Sequence, residues 1–226
     1  MEELKQEILS MIKLQQKLND NTCGTNWTNG ITNKNRKINW LRCIRMELSE
    51  FIDSFPWKHW KNINGSIDKS NAEIELVDIW HFILSYIIST NSLSTVNINS
   101  YVCIINNMKN IDLTNITLCV SSIIEKAEEL QKATFQSNGA IEIFEIFINL
   151  CKEFGLSFNK LQQLYIGKNA LNEFRQLNGY KDGTYIKVWN GEEDNIVMQR
   201  IVTNIDQLNY DKILISLEQE YIKINK

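Results

Sequence analysis

"IELVDIWHFILSYII", residues 74–88, is apolar or aromatic at nearly every position, yet two carboxylates, Glu75 and Asp78, sit inside it three residues apart. Just upstream, Ser70 and Glu73 have the spacing of a capping box, which predicts a helix starting there and running to about Ser89. Apolar residues surround that helix on nearly all sides, the pattern of a central, buried element. A charged carboxylate is costly in such surroundings, so the two acids need a reason to be there.

The flanking sequence is helical in the same way. Residues 39–55 place Leu41, Ile44, Leu48, Phe51 and Phe55 on one side, and Pro56 closes the run. Residues 2–19 carry Leu4, Ile8, Met11 and Leu18 on one stripe. Ser122 and Glu125 open a further helix by the same capping signature, and helices are predicted over about 140–154, 158–178 and 206–224. The chain has one proline in 226 residues, and its nine glycines fall mostly where helical patterns stop. "GYKDGTYIKVWNGEEDN", residues 179–195, is turn-rich, with a short hairpin expected at 184–189. Residues 91–118 are rich in Asn, low in charge and match no pattern. With no internal repeat and no dividing linker, the expectation is one all-α helical domain over 1–226, with 91–135 its unassigned part.

Composition narrows the function. At 43% hydrophobic and 23% charged the chain reads as an ordinary globular protein. No apolar run reaches the roughly 20 residues of a membrane helix, and "MEELKQEILS" at the start lacks the apolar segment of a signal peptide. Five cysteines without C-x-x-C spacing read as reduced thiols, so a cytoplasmic location is expected. A formal net charge of -3 gives a nucleic-acid polymer no broad basic surface to bind.

A second acid pair lies on the neighbouring predicted helix. Glu47 and Glu50 in "MELSE" are three apart and share a face with Trp40, Cys43 and Ser54, next to the apolar stripe. One E-x-x-E on a helix is ordinarily a solvated pair, and a buried one can be salt-bridged or protonated. Two such pairs on antiparallel neighbours would bring four acids together, while Arg42 and Arg45 point to the far side of their helix. A hard divalent cation such as Mg²⁺, which takes oxygen ligands and keeps room for water and phosphate, would satisfy them.

Toward the C-terminus Lys168, Asn172 and Arg175 recur at i, i+4, i+7, one stripe of a helix, followed by Lys181 and Lys187. On its own this is a solvated basic face. Beside an acid–metal cluster it has the mixture that phosphate oxygens take: point charge, guanidinium and amide donor. At the end of the first helix Gln16 and Asn19 in "LQQKLND" are carboxamides three apart. An amide offers the donor and acceptor that the edge of uracil requires, although polar residues at a helix end are common.

Taken together, "LQQKLND", "MELSEFIDSFPWKHWK", "EIELVDIWHFIL" and "YIGKNALNEFRQLNGYKDGTY…WNGEEDN" resemble the dimeric dUTPases of the all-α NTP pyrophosphatase superfamily. They cover roughly half of the chain, in that family's order. The resemblance implies an all-helical homodimer that hydrolyses dUTP to dUMP and pyrophosphate by attack on the β-phosphorus, and often accepts dUDP. It implies Glu47, Glu50, Glu75 and Asp78 as Mg²⁺ ligands, with Glu47 also the catalytic base. It implies Gln16 and Asn19 as uracil readers, Trp60 and His81 lining the nucleoside pocket, and Lys168, Asn172, Arg175, Lys181 and Asn195 gripping phosphates. Two alternatives share these residues: a MazG-like or dCTP-directed pyrophosphohydrolase of the same superfamily, and a non-catalytic helical binding protein whose acids form structural salt bridges.

Overall fold

The apolar run at 74–88 is mostly buried. In the computed structural model, which describes residues 1–62, 65–109, 118–136, 138–205 and 208–225, the described residues form nine α-helices and one two-stranded hairpin. They fall into two compact units, Met1–Leu161 and Gln162–Lys226.

The first unit contains α1 (Glu2–Cys23), α2 (Trp40–Asp53), α3 (Lys69–Ser89), α4 (Thr95–Lys109), α5 (Val120–Phe135) and α6 (Ala140–Phe154). Helix α3 packs against α1, α2 and α6. Its Trp80 has no exposed surface and stacks on Phe147 with ring centroids 5.5 Å apart. Burial of Leu76, Val77, Ile79, Ile83 and Leu84 around the helix accounts for its lack of a polar face. The cap differs from the capping box expected at Ser70 and Glu73. Asp68 is the N-cap, and its carboxylate accepts from the Asn71 N–H at 3.0 Å. Either acceptor satisfies an orphan amide of the first turn, and the chain uses the earlier one. Helix α5 likewise begins at Val120, and Ser122 donates to Glu153 of α6 instead of capping. Gly155 ends α6 at φ 78°, the left-handed conformation that glycine adopts without a Cβ penalty.

The unassigned stretch 91–118 contains α4. Ile98, Tyr101, Val102, Ile105 and Met108 recur at helical spacing and are buried, so an apolar stripe was present beneath the asparagines. Residues 110–117 lie outside the described ones.

Helix α7 (Phe158–Leu177) spans the boundary between the units. The second unit continues with β1 (Val188–Trp189), β2 (Glu192–Glu193), α8 (Asp194–Asn204) and α9 (Tyr210–Ile222). The hairpin falls a few residues later than expected. Asn190 and Gly191 turn it with φ 51° and 91°, the pair of positive φ values that a two-residue hairpin loop needs. Helix α8 occupies a stretch for which no helix was expected, and the last helix is shorter than 206–224; residues 206–207 lie outside the described ones. An aromatic group holds this unit together: Tyr221 of α9 stacks on Tyr185 at 5.5 Å and meets Phe174 and Trp189 edge-on at 5.3 Å each.

Candidate functional site

Helices α2 and α3 carry the acids where they pack together. One carboxylate oxygen from each of Glu47, Glu75 and Asp78 lies within 4.8 Å of the others. Glu75 is only 7% exposed, while Glu47 and Asp78 are half-buried. The fourth acid, Glu50, is exposed and stands outside this group of three, one turn along α2, but its charge still acts on Glu47.

Electrostatically the group is strained. Burial pushes the Glu47 carboxyl up from 4.5 to about 8, helped by the charges of Asp78, Glu50 and Glu75 and by a hydrogen bond with Glu75. The nearby Cys43 thiol is raised as well, by burial first and then by Glu47. Arg45 does not relieve the cluster; it turns to Thr134 O at 3.2 Å and lies 4.2 Å from the centroid of Phe135. Three close oxygen donors that repel one another are the donor set of a hard divalent cation, so these residues fit Mg²⁺.

Beside the acids, α1 and α3 share a buried polar network. Gln15 Nε2 donates to Asn19 Oδ1 and to Ser85 Oγ, both at 3.0 Å, and Asn19 Nδ2 donates to the same Ser85 oxygen at 2.9 Å. With its nitrogen so engaged, Gln15 presents its oxygen to His81 Nδ1 at 2.7 Å, which makes Nδ1 the protonated nitrogen. Ser85 completes the set by donating to His81 O at 2.8 Å. Gln16 has a partner of its own: its Nε2 donates to Asp20 Oδ1, which also accepts from Trp27 Nε1, at 2.9 Å in each case. The amide that α1 pairs with Asn19 is therefore Gln15. Its neighbour Gln16 has the same chemistry, so only the rotation of α1 against Ser85 and His81 tells them apart.

Trp60, in the segment after α2, is 62% exposed and packs edge-on against Trp57 at 5.6 Å and His59 at 4.9 Å. Asp53 fastens the segment through Lys58 and the Trp57 indole N–H, and these partners hold its carboxyl below the usual range.

In the second unit Lys168 and Arg175 of α7 meet Asn195 of α8, and Arg175 also reaches Asn172. Lys168 is only 3% exposed, and its Nζ donates to Asn195 Oδ1 at 3.0 Å. Arg175 is buried too, paired through two nitrogens with Asp194, a residue absent from the sequence expectation. Lys181 is exposed in the 3₁₀ turn Tyr180–Asp182, which glycines bracket on both sides. Among the described residues no helix is long and apolar enough to cross a membrane.

A comparison with curated proteins finds no match. A family model described as dUTPase matches residues 7–180, well over half of the chain, and takes in both acid pairs, the α1 amides and the α7 stripe. The carboxylate group, the buried amides and this match agree: the chain belongs to the all-α dUTPase family, enzymes that hydrolyse dUTP.

Proposed function

We propose that the protein hydrolyses dUTP to dUMP and pyrophosphate in a Mg²⁺-dependent reaction, that it also converts dUDP to dUMP and phosphate, and that it works as a homodimer. The observation that carries the metal reading is the approach of Glu47, Glu75 and Asp78 within 4.8 Å of one another beside a buried polar network. Glu47, Glu75 and Asp78 would hold the cation, with Glu50 completing the set from its exposed position. When bound, Mg²⁺ supplies Lewis-acid charge that offsets the acids and the polyphosphate and acidifies water in its shell.

The chain's own residues do the rest. Glu47 holds the attacking water and takes its proton, since the charges of the other acids raise its affinity for one. The amides Gln15, Gln16 and Asn19 read the uracil edge, with His81 fixing the Gln15 rotamer through Nδ1. Trp60 supplies an exposed aromatic surface for the nucleoside. Lys168, Asn172, Arg175, Lys181 and Asn195 together form the grip for the phosphates of the same substrate. Positioning and neutralisation are the main demands, because an anionic nucleophile is repelled by a polyanionic substrate.

Pyrophosphate release assayed across dUTP, dTTP, dCTP and dATP, with Mg²⁺ and with chelator, tests this reading. Turnover of dUTP that needs the metal is expected. Glu75→Gln should lower kcat by about a hundredfold or more with the helical circular dichroism unchanged, the scale of losing one preorganised electrostatic group. Undiminished hydrolysis by that variant removes the metal assignment, and equal turnover of dCTP removes the base assignment.

A further inference from the structure

Asp194, the first residue of α8, has no exposed surface. Its Oδ2 accepts from Arg175 Nε and from the Tyr185 hydroxyl, each at 2.8 Å, and its Oδ1 accepts from Arg175 Nη2 at 2.7 Å. Arg175 also reaches two amides: Nη2 donates to Asn195 Oδ1 at 3.2 Å and Nη1 to Asn172 Oδ1 at 3.3 Å. Lys168 Nζ meets the same Asn195 oxygen at 3.0 Å. Arginine and lysine are donors only, so the end of each amide that faces them must be the oxygen. The NH₂ groups of Asn172 and Asn195 are thereby turned away from the cations, and both residues keep a partly exposed surface.

We infer that Asp194 is a positioning residue for phosphate binding: it locks Arg175 as a strut, and Arg175 with Lys168 pins the carbonyl ends of Asn172 and Asn195 so that their NH₂ groups face phosphate oxygens as a pair of donors. The inference rests on the proposed reading of this segment as the polyphosphate grip. It gives the guanidinium a different task from the one its sequence suggests. A bidentate carboxylate occupies the face that would otherwise clasp a phosphate. Asp194 also cancels the charge of Arg175, which leaves lysines and neutral amide donors to hold the anion. Such a grip orients pyrophosphate without binding it too tightly to leave.

The test compares inhibition of the full-length enzyme by pyrophosphate with inhibition by dUMP, in the presence of Mg²⁺. Asp194→Asn should raise the pyrophosphate Ki by about tenfold or more, the scale of one hydrogen bond to a charged group. The dUMP Ki should stay within about twofold, and KM for dUTP should rise more than kcat falls. Asn195→Ala should weaken pyrophosphate by a similar factor, and the double variant should be little worse than either single one, because both changes remove the same aimed donor. Unchanged pyrophosphate inhibition, equal loss of dUMP and pyrophosphate, or losses that multiply in the double variant would each overturn the role. Should Asp194→Asn fail to fold, Tyr185→Phe decides: it removes one charge-assisted donor while Arg175 still holds Asp194, and it should raise the pyrophosphate Ki by about two- to fivefold, part of the worth of such a bond, with dUMP unaffected. No change there overturns the role too. A wild-type protein that neither hydrolyses dUTP nor binds pyrophosphate defeats the functional reading itself; one that does both while Asp194→Asn behaves identically defeats only the positioning role.

Discussion

Glu47 binds its proton more tightly in the folded chain than in the unfolded one, with its carboxyl raised from 4.5 to about 8. A group shifted in this direction makes the folded state progressively less favourable as pH rises through that window, since the fold then retains a proton that the unfolded chain has released. The metal-free protein should therefore lose thermal stability between about pH 4.5 and 8 and level off above it. Mg²⁺ should raise the melting temperature most at the alkaline end, where no proton competes with it. Asp78 is the largest charged contributor to the Glu47 shift. Asp78→Asn should thus flatten the pH slope, stabilise the metal-free protein by about 2–4 °C, as roughly 1 kcal/mol does in a chain of this size, and abolish both the Mg²⁺ response and turnover. Thermal melts over pH 5–9 with and without Mg²⁺ check all three outcomes. The acids were legible because carboxylates inside an apolar helix contradict their surroundings. The place of Gln15 in the buried network with Asn19 was not, because two adjacent amides are chemically equal until a partner selects one. Asp194 was not legible either: among Glu192 and Glu193 it reads as one more solvated charge, and its burial depends on Arg175 nineteen residues earlier.

Among the elements, α3 and α8 mark the two extremes of what a sequence declares. Helix α3 is apolar all round, and every level of reading gives the same answer for it. Helix α8 is short, with Ile196 and Ile201 partly exposed and Val197, Met198 and Val202 buried. It follows a hairpin turn, so its stripe is too brief to separate helix from strand. What holds it is a close approach to α7 at Gly167. A Cβ placed there would lie 2.5 Å from Val202 Cγ1 and 2.6 Å from Met198 Sδ. Two effects oppose each other in Gly167→Ala. Helix propensity favours alanine by about 1 kcal/mol, while overpacking costs about 1–3 kcal/mol. The β-branched Val202 has little freedom to move aside, so the overlap should win. The variant is expected to be less stable by about 1–2 kcal/mol in denaturant melts, within the ordinary overpacking range. Because α8 begins with Asp194 and Asn195, pyrophosphate binding should weaken along with it. A stabilised Gly167→Ala would show that α8 is free to shift on α7.

At the scale of the molecule, the division into Met1–Leu161 and Gln162–Lys226 leaves no mark in composition, because the boundary falls inside a continuous helix where no linker is needed. Function is what should make the units interdependent. The acids and the α1 amides belong to the first unit and the Lys168–Asn172–Arg175–Asn195 group to the second, and the proposed reading gives both groups one nucleotide to bind. Hydrogen exchange reads the two separately. Mg²⁺ alone should slow exchange in α2 and α3 and leave α7 and α8 unchanged, since its proposed ligands lie on the first pair. Mg²⁺ with a nonhydrolysable dUTP analogue should extend protection to α7 and the start of α8, where the proposed reading puts the polyphosphate. At about a hundred times its Kd such a ligand adds roughly 2.7 kcal/mol to the stability of whatever it binds, enough for the protection to be unmistakable. A dUMP control should protect α1, α2 and α3 with less effect on α7. Sedimentation of the same samples gives the assembly, for which twice the chain mass of 26.4 kDa is expected. If the analogue protects α2 and α3 while exchange in α7 and α8 stays at its free rate, the basic stripe serves some other anion and the shared-substrate reading fails, however well the acids hold their metal.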